Sequence, residues 1–271
     1  MGAILTPYSG GVGRFLRHLV VFGVLLFVAL PFLWMAYAAF LPKEAVFAGE
    51  LFAFGLSLEN VRALGREGFW GRLGFSLGLS AFVAFLQLFT ALLAAYPLRV
   101  GLGLLPFYLV LMAIPAELLL VPLYGILKSL SFLDTFWALV LPFAASPFIV
   151  YLVYQAMRGV PEELLEAAKL DGAGHGVLLF RILLPLIRPT LVAAGVLAFA
   201  AHWNLVLYPR VMVSDPRFWT IQTWLTDLQR KYPTDWGLLS AAALLSVLPV
   251  ALLYLLFERR VVATFEEGLK G

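Results

Sequence analysis

The sequence predicts an all-α integral membrane protein with six transmembrane helices, on three observations. Hydrophobic residues make up 62% of the 271-residue chain and charged residues only 13%, with a mean hydropathy of +0.95. Soluble domains carry roughly 45–50% apolar and about 25% charged residues. A chain this apolar could not cover itself with polar surface, so lipid is its expected solvent. Six stretches reach the roughly 20 apolar residues that a helix needs to cross a bilayer. Strand-type alternation, the signature of a membrane barrel, is absent, and helices satisfy their own backbone hydrogen bonds where lipid cannot.

The expected spans are 19–41, 75–98, 104–127, 136–157, 189–209 and 237–257, in one transmembrane domain, 1–271, and Glu117 is the only formally charged residue inside them. Arg14 and Arg17 precede the first span, and Ala36-Tyr37-Ala38 resembles a signal cleavage site. Signal cores run to about 7–15 apolar residues; 23 here exceed that, so the stretch reads as a retained span. With both termini cytoplasmic, the inside segments hold ten Lys and Arg and the outside segments nine, so the positive-inside rule decides little. Arg14, Arg17, Arg259 and Arg260 at span ends favour this orientation, and all seven tryptophans then lie toward the outer side, as interfacial anchors do. Cysteine is absent, which excludes disulfides and thiolate chemistry. Asn60 and Asn204 are the only asparagines, as expected of a thermophile or, equally, of biased base composition. No block of Lys or Arg points to nucleic acid.

Between the spans, residues 42–74 form a first outer segment in which Ser57, Glu59, Asn60 and Val61 can begin a short helix. Residues 99–103 and 128–135 are tight connections. Residues 210–236 form a second outer segment, and its apolar stretch 218–229 either lies on the membrane surface or packs as a surface loop.

Residues 158–188 are polar by comparison, yet patterned as two short helices. Pro161 suits the first helical position; Glu162 and Glu163 fall in the first turn and Lys169 in the last, each agreeing with the helix dipole. Leu164, Leu165 and Ala168 make an apolar stripe at helical spacing, and Gly172 is placed to end the helix at positive φ. A second helix is expected over about Ala173 to Leu184, with Pro185 and Pro189 marking its end. Small residues at the corner, Ala167, Ala168, Gly172, Ala173 and Gly174, leave room for a partner surface.

Glu166-Ala167-Ala168, Gly172, Ile182, Leu184 and Pro185 match every position of the Glu-Ala-Ala, three residues, Gly, nine residues, Ile-x-Leu-Pro signature, seven positions across 20 residues. In this the chain resembles the permease subunits of binding-protein-dependent ABC importers, and is most similar to the shorter permease of the maltose and multiple-sugar carbohydrate importers. The likeness extends to Leu93-Ala94-Ala95-Tyr96, Ile114-Pro115, Val121-Pro122-Leu123-Tyr124, Asp134 to Leu139, Trp203-Asn204, Ala241-Ala242, Leu248-Pro249-Val250 and Lys270-Gly271. It departs at Phe75, where the family often has Asn, and at Leu205, where it often has an acid.

The resemblance implies a type I ABC importer permease fold whose residues 158–188 form a cytoplasmic coupling helix. It implies that Glu166, Ala167, Ala168, Asp171, Gly172 and Ala173 transmit the closure of a separate ATP-binding cassette ATPase dimer, which would bind the ATP and Mg. This chain has no phosphate loop and binds no cofactor of its own on this reading. The implied partners are a second, homologous permease, an extracytoplasmic solute-binding protein and membrane lipids. The implied location is a prokaryotic inner membrane, and Glu266 to Gly271 would reach toward the ATPase. Sugar import is the implied function; glycerol phosphate or polyol import is the alternative.

Polar groups at membrane depth are costly and usually face protein or water. Gln87, Glu117, His202 and Asn204 are therefore pathway candidates, or else helix–helix hydrogen bonds. Trp203 and Tyr124 can stack on a sugar face or serve as core aromatics. An ion-coupled transporter would want several intramembrane ionisable residues, and one is present. A lipid phosphotransferase would want more aspartates than Asp171-Gly172-Ala173 offers. No acid pair, metal cluster or nucleophile–base pair points to catalysis.

Overall fold

The computed structural model describes residues 11–42 and 55–268, with side chains from 15–42 and 55–258. The expected tail, Glu266 to Gly271, and the flanking Arg14, Arg259 and Arg260 have side chains outside that range. Every regular element among the described residues is helical, and the residues divide into two compact units.

The first unit takes in the residues up to Glu67 together with Lys231–Leu245. Helix α1, Gly11–Ala39, presents its side chains outward over 15–34 except at Ala29, as a lipid-facing helix does. Helix α2, Glu59–Arg66, starts where Ser57 Oγ accepts the Glu59 N–H at 3.1 Å. Asn60 is fully buried, and its Nδ2 donates to the carbonyls of Ala39 (3.2 Å) and Leu41 (3.0 Å). Ala39 is the last residue of α1 and Leu41 lies just beyond it, where carbonyls lack a helical partner. Gly237 lies so close that a Cβ there would sit 2.7 Å from Asn60 Nδ2. Glu67 accepts from Lys231 Nζ and Tyr232 Oη, both at 2.7 Å.

The second unit takes in Gly68–Arg230 and the chain from Ser246 onward. It is built around α3, Phe69–Arg99, 31 residues long. Helix α4, Leu105–Met112, stops ahead of Ile114-Pro115. After a 90° bend, a 3₁₀ turn, Ala116–Leu119, leads into α5, Leu120–Ser129. The expected span 104–127 is therefore a broken one: Pro115 sits extended at ψ 131°, and the residue before a proline is disfavoured in helix. Helix α6, Phe136–Val140, continues through a 3₁₀ turn to Phe143 and meets α7, Pro147–Arg158, at 41°. Next come α8, Glu162–Leu170, and α9, His175–Leu186. A 78° bend leads to α10, Arg188–Trp203. The span expected over 189–209 breaks at Asn204 and resumes as α11, Leu207–Met212. Helix α12, Ile221–Lys231, and α13, Trp236–Gly268, complete the chain.

Helix α12 settles the stretch 218–229. Ile221, Trp224 and Leu228 are buried, with Trp224 edge-on to Phe69 at 5.6 Å and the Ile221 N–H bonded to Ser76 Oγ at 2.7 Å. The stretch is packed against protein.

Helix α3 packs on α7 and α10. Alanines line the close approach: Ala84, Ala91 and Ala95 on α3, and Ala193, Ala194 and Ala198 on α10. Small residues let membrane helices touch where no hydrophobic effect drives them together.

The α6–α7 break accounts for the polar side chains Gln87, Thr90, His202 and Tyr208. Pro142 and Pro147 have no N–H to give the carbonyls four residues back, Ala138 and Phe143. Tyr208 Oη donates to Ala138 O at 2.9 Å, and Gln87 Nε2 donates to Phe143 O at 2.9 Å. Thr90 Oγ1 reaches Ala144 O at 2.9 Å, and His202 Nε2 lies 3.2 Å from Leu139 O. A carbonyl left bare in hydrocarbon would cost several kcal/mol by rough estimate, so side chains of neighbouring helices supply what the prolines cannot.

Candidate functional site

The elbow of residues 158–188 is assembled from its two helices and the end of α3. Helix α8 starts one residue later than the sequence predicts, with Pro161 at the cap and Glu162 and Glu163 in its first turn. It ends as the sequence predicts: Gly172 has φ +87°. The Ala173 N–H reaches Ala168 O at 2.9 Å and the Gly172 N–H reaches Lys169 O at 3.0 Å. That pair of bonds is a Schellman cap, which satisfies carbonyls the helix end would otherwise leave bare.

Helix α9 differs from the expected second helix. It begins at His175 rather than Ala173, and Leu178–Leu183 winds as a π-helix. Pro185 follows, and its ring would crowd the carbonyl of Arg181 in a regular α-helix. The wider π turn relieves that crowding.

Leu165, Leu178 and Leu179 are buried and hold the elbow to the protein. Glu166, Ala167, Asp171 and Gly172 are exposed, while Ala168 and Ala173 are half-buried. The six predicted coupling residues therefore lie together on one corner. A Cβ at Gly172 would meet nothing within 4 Å, and Leu170 beside it is 89% exposed. An apolar side chain held outward at a rigid corner, amid small residues, is suited to contact with another protein.

Four residues that sequence reasoning did not single out for this site, Tyr96, Arg99, Glu162 and His175, hold the elbow to α3. Arg99 Nε donates to Met157 O at 3.1 Å and Nη2 to Val160 O at 3.3 Å. Its Nη1 pairs with Glu162 Oε2 at 2.8 Å. Tyr96 Oη lies 2.7 Å from His175 Nδ1. The only signal in the sequence was a lone arginine closing an apolar span, which reads equally as an interfacial anchor. A cavity of about 300 Å³ opens between α3 and the elbow, lined by residues including Tyr96, Arg99, Glu162, Leu165, Lys169 and Leu178.

The six pathway candidates divide in two. Gln87 and His202 are buried, and both serve the α6–α7 break; His202 Nδ1 also lies 3.1 Å from Ser80 Oγ on α3. Trp203 is buried and stacks on Phe199 at 5.6 Å. Glu117, Tyr124 and Asn204 are exposed, with Asn204 Nδ2 turned back to Ala200 O at 2.8 Å. Phe75, one of the departures from the family pattern, joins an aromatic cluster with Phe136 and Phe218, each at 6.4 Å.

Outside the spans, Asp134 stands at φ +59° and its carboxylate accepts the N–H groups of Ser214 and Asp215, joining the loops before α6 and after α11. Hydrogen bonds from Arg217 hold the Asp215 carboxyl below the usual carboxylate range. Among the described residues no cluster of His, Asp and Glu could hold a metal ion.

Residues 87–264 match the family described as binding-protein-dependent transport system inner membrane component. YurM of Bacillus subtilis, a probable ABC transporter permease protein, is 32% identical, covering 93% of this chain and 87% of its own. AraQ of Halalkalibacterium halodurans, an arabinooligosaccharides transport system permease protein, is 29% identical over 92% of this chain and 94% of its own. Among solved structures, one chain of a bacterial ABC transporter involved in the import of the acidic polysaccharide alginate superposes with a TM-score of 0.77. It covers 95% of this chain and 99% of its own at 18% identity, a likeness of fold.

Proposed function

This chain belongs to the binding-protein-dependent transport system inner membrane components, multi-pass membrane subunits of ABC importers rather than enzymes, and from that premise we propose that it is the permease through which such an importer moves a sugar or sugar-like solute. The observation that carries the mechanism is the elbow, where the complete Glu166-to-Pro185 motif sits on a capped, outward corner. A two-state machine needs an element whose position both sites bias, and a rigid helix pair fixed to a span supplies it.

Glu166, Ala167, Ala168, Asp171, Gly172 and Ala173 meet an ATP-binding cassette ATPase dimer, which binds ATP and Mg and closes on them. A second homologous permease completes the pathway and an extracytoplasmic binding protein delivers the solute. The whole chain acts as one permease domain, with both termini and the elbow cytoplasmic. Sugar as the solute is supported by AraQ, whose name gives arabinooligosaccharides as its cargo; a glycerol phosphate or polyol has no comparable support. Glu117, Tyr124 and Asn204 are the candidates free to meet solute. Gln87, His202 and Trp203 are engaged in packing.

The test is reconstitution of the permease pair with ATPase and binding protein in vesicles. Solute uptake that needs ATP and the binding protein is the expected result. Uptake driven by an ion gradient without ATP would overturn the proposal.

A further inference from the structure

We propose that Arg99 is the positioning residue that makes the elbow and α3 move as one body, acting through the carbonyls of Met157 and Val160 rather than through its ion pair. This rests on the coupling role given to the elbow above. The Arg99 side chain is only 9% exposed, whereas the Glu162 side chain that pairs with it is 58% exposed. An ion pair with one partner in water is weak. The two carbonyl bonds lie on the buried side, at the turn where α7 ends and α8 begins. Met157 O also accepts the Val160 N–H at 3.3 Å, so the Arg99 bond adds to that one, and the negative end of a helix dipole favours a cation there.

The guanidinium suits the task because its donors lie in a fixed plane. Nε, Nη1 and Nη2 each reach a different acceptor at once, which a lysine ammonium on a flexible stem cannot reproduce. Tyr96 stands three residues earlier, on the same face of α3, and reaches His175 at the start of α9. The last turn of α3 thus grips both halves of the elbow. Between the two ties lies the cavity of about 300 Å³. The cavity interrupts the apolar seat that Leu165 and Leu178 provide, so the polar ties add to that connection. Because α3 packs on α7 and α10, a displacement of α8 held by Arg99 reaches the spans.

The experiment compares Arg99→Lys, Glu162→Gln, Tyr96→Phe and Gly172→Val in the complete reconstituted importer. It reads solute taken up per ATP hydrolysed and the amount of complex assembled. Arg99→Lys should lower the ratio about tenfold at normal assembly, as expected when the ammonium keeps one carbonyl bond and loses the other. Tyr96→Phe should lower it less, and Glu162→Gln should leave it within about twofold. A normal ratio in Arg99→Lys overturns the inference, as does a loss of uptake that merely follows a loss of assembled complex. Should Arg99→Lys fail to assemble, a normal ratio in Tyr96→Phe overturns it. If Gly172→Val uncouples while Arg99→Lys does not, the clamp alone is wrong. If neither uncouples, the coupling role of the elbow falls with it.

Discussion

Gly172 allows the coupling reading to be tested by backbone conformation alone. Its φ of +87° costs an ordinary L-residue roughly 1–2 kcal/mol, with asparagine among the exceptions. A Cβ at this corner would meet nothing within 4 Å, so crowding inside the chain adds nothing and the whole penalty is conformational. About 1.4 kcal/mol is a factor of ten in an equilibrium. Alanine should therefore reduce the population of the capped corner about tenfold relative to its alternatives, and asparagine less. Valine should reduce it further, since positive φ is a strong outlier for β-branched residues. When the corner opens, the bonds from Ala173 N to Ala168 O and from Gly172 N to Lys169 O are lost, and the end of α8 frays. Uptake per ATP in vesicles should fall in the order Gly, Asn, Ala, Val, with the complex still assembled. Equal coupling for glycine and alanine would refute the backbone argument and leave only side-chain bulk. Full coupling with valine would refute the docking role itself.

Three further outcomes follow from the packing. His202→Leu removes the contacts to Ser80 and to Leu139 O; it should lower stability by about 1–2 kcal/mol, read as a lower Tm in detergent, with the KM for solute unchanged. A changed KM at unchanged Tm would return His202 to the pathway. Gly237→Ala puts a methyl 2.7 Å from the buried Asn60 Nδ2 and should cost about 1–3 kcal/mol by overpacking; Asn60→Ala in the same chain should recover part of that loss, which proteolytic sensitivity can follow. Asp215 has its carboxyl pKa lowered by Arg217 hydrogen bonds, so its contribution is present above the ordinary carboxylate value of 3.8 and fades as pH falls through the lower folded value. Hydrogen exchange at the Arg217 N–H, which bonds Asp215 Oδ1 at 2.9 Å, should show protection that is flat between about pH 5 and 8 and is lost as pH falls through the lowered folded value.

Apolar length finds stretches long enough to cross, because bilayer thickness sets one scale for all of them, and three helices, Phe15–Ala39, Phe69–Arg99 and Trp236–Glu258, meet it unbroken. It could not show where a span is broken. The 90° bend near Pro115 and the 41° bend between Phe143 and Pro147 follow from residues that a hydropathy count scores as neutral. A proline can kink a membrane helix or merely tilt it, depending on whether neighbours supply the missing donors. Here the donors are Gln87, Thr90, His202 and Tyr208, from α3, α10 and α11. In sequence, Gln87 and His202 carried the signature of pathway residues, since polar atoms at membrane depth are expected to face something. What they face is backbone, 56 and 63 residues away in the chain, and no local pattern encodes that pairing.

The elbow was more legible because its information is local. Acid at the start of α8, Lys169 near its end and glycine just beyond it are cap chemistry within one short helix, and the corner follows from them. The fastening was not legible for the opposite reason. Arg99 precedes Glu162 by 63 residues and Tyr96 precedes His175 by 79, so the contacts that make the corner part of the membrane domain depend on α3 and α7 having packed first. A corner of small, exposed residues can be proposed as a docking surface from its own sequence, but whether it moves anything depends on what holds its base. In this chain that is the last turn of one span, and Arg99→Lys at normal assembly separates the strength of that hold from the existence of the elbow.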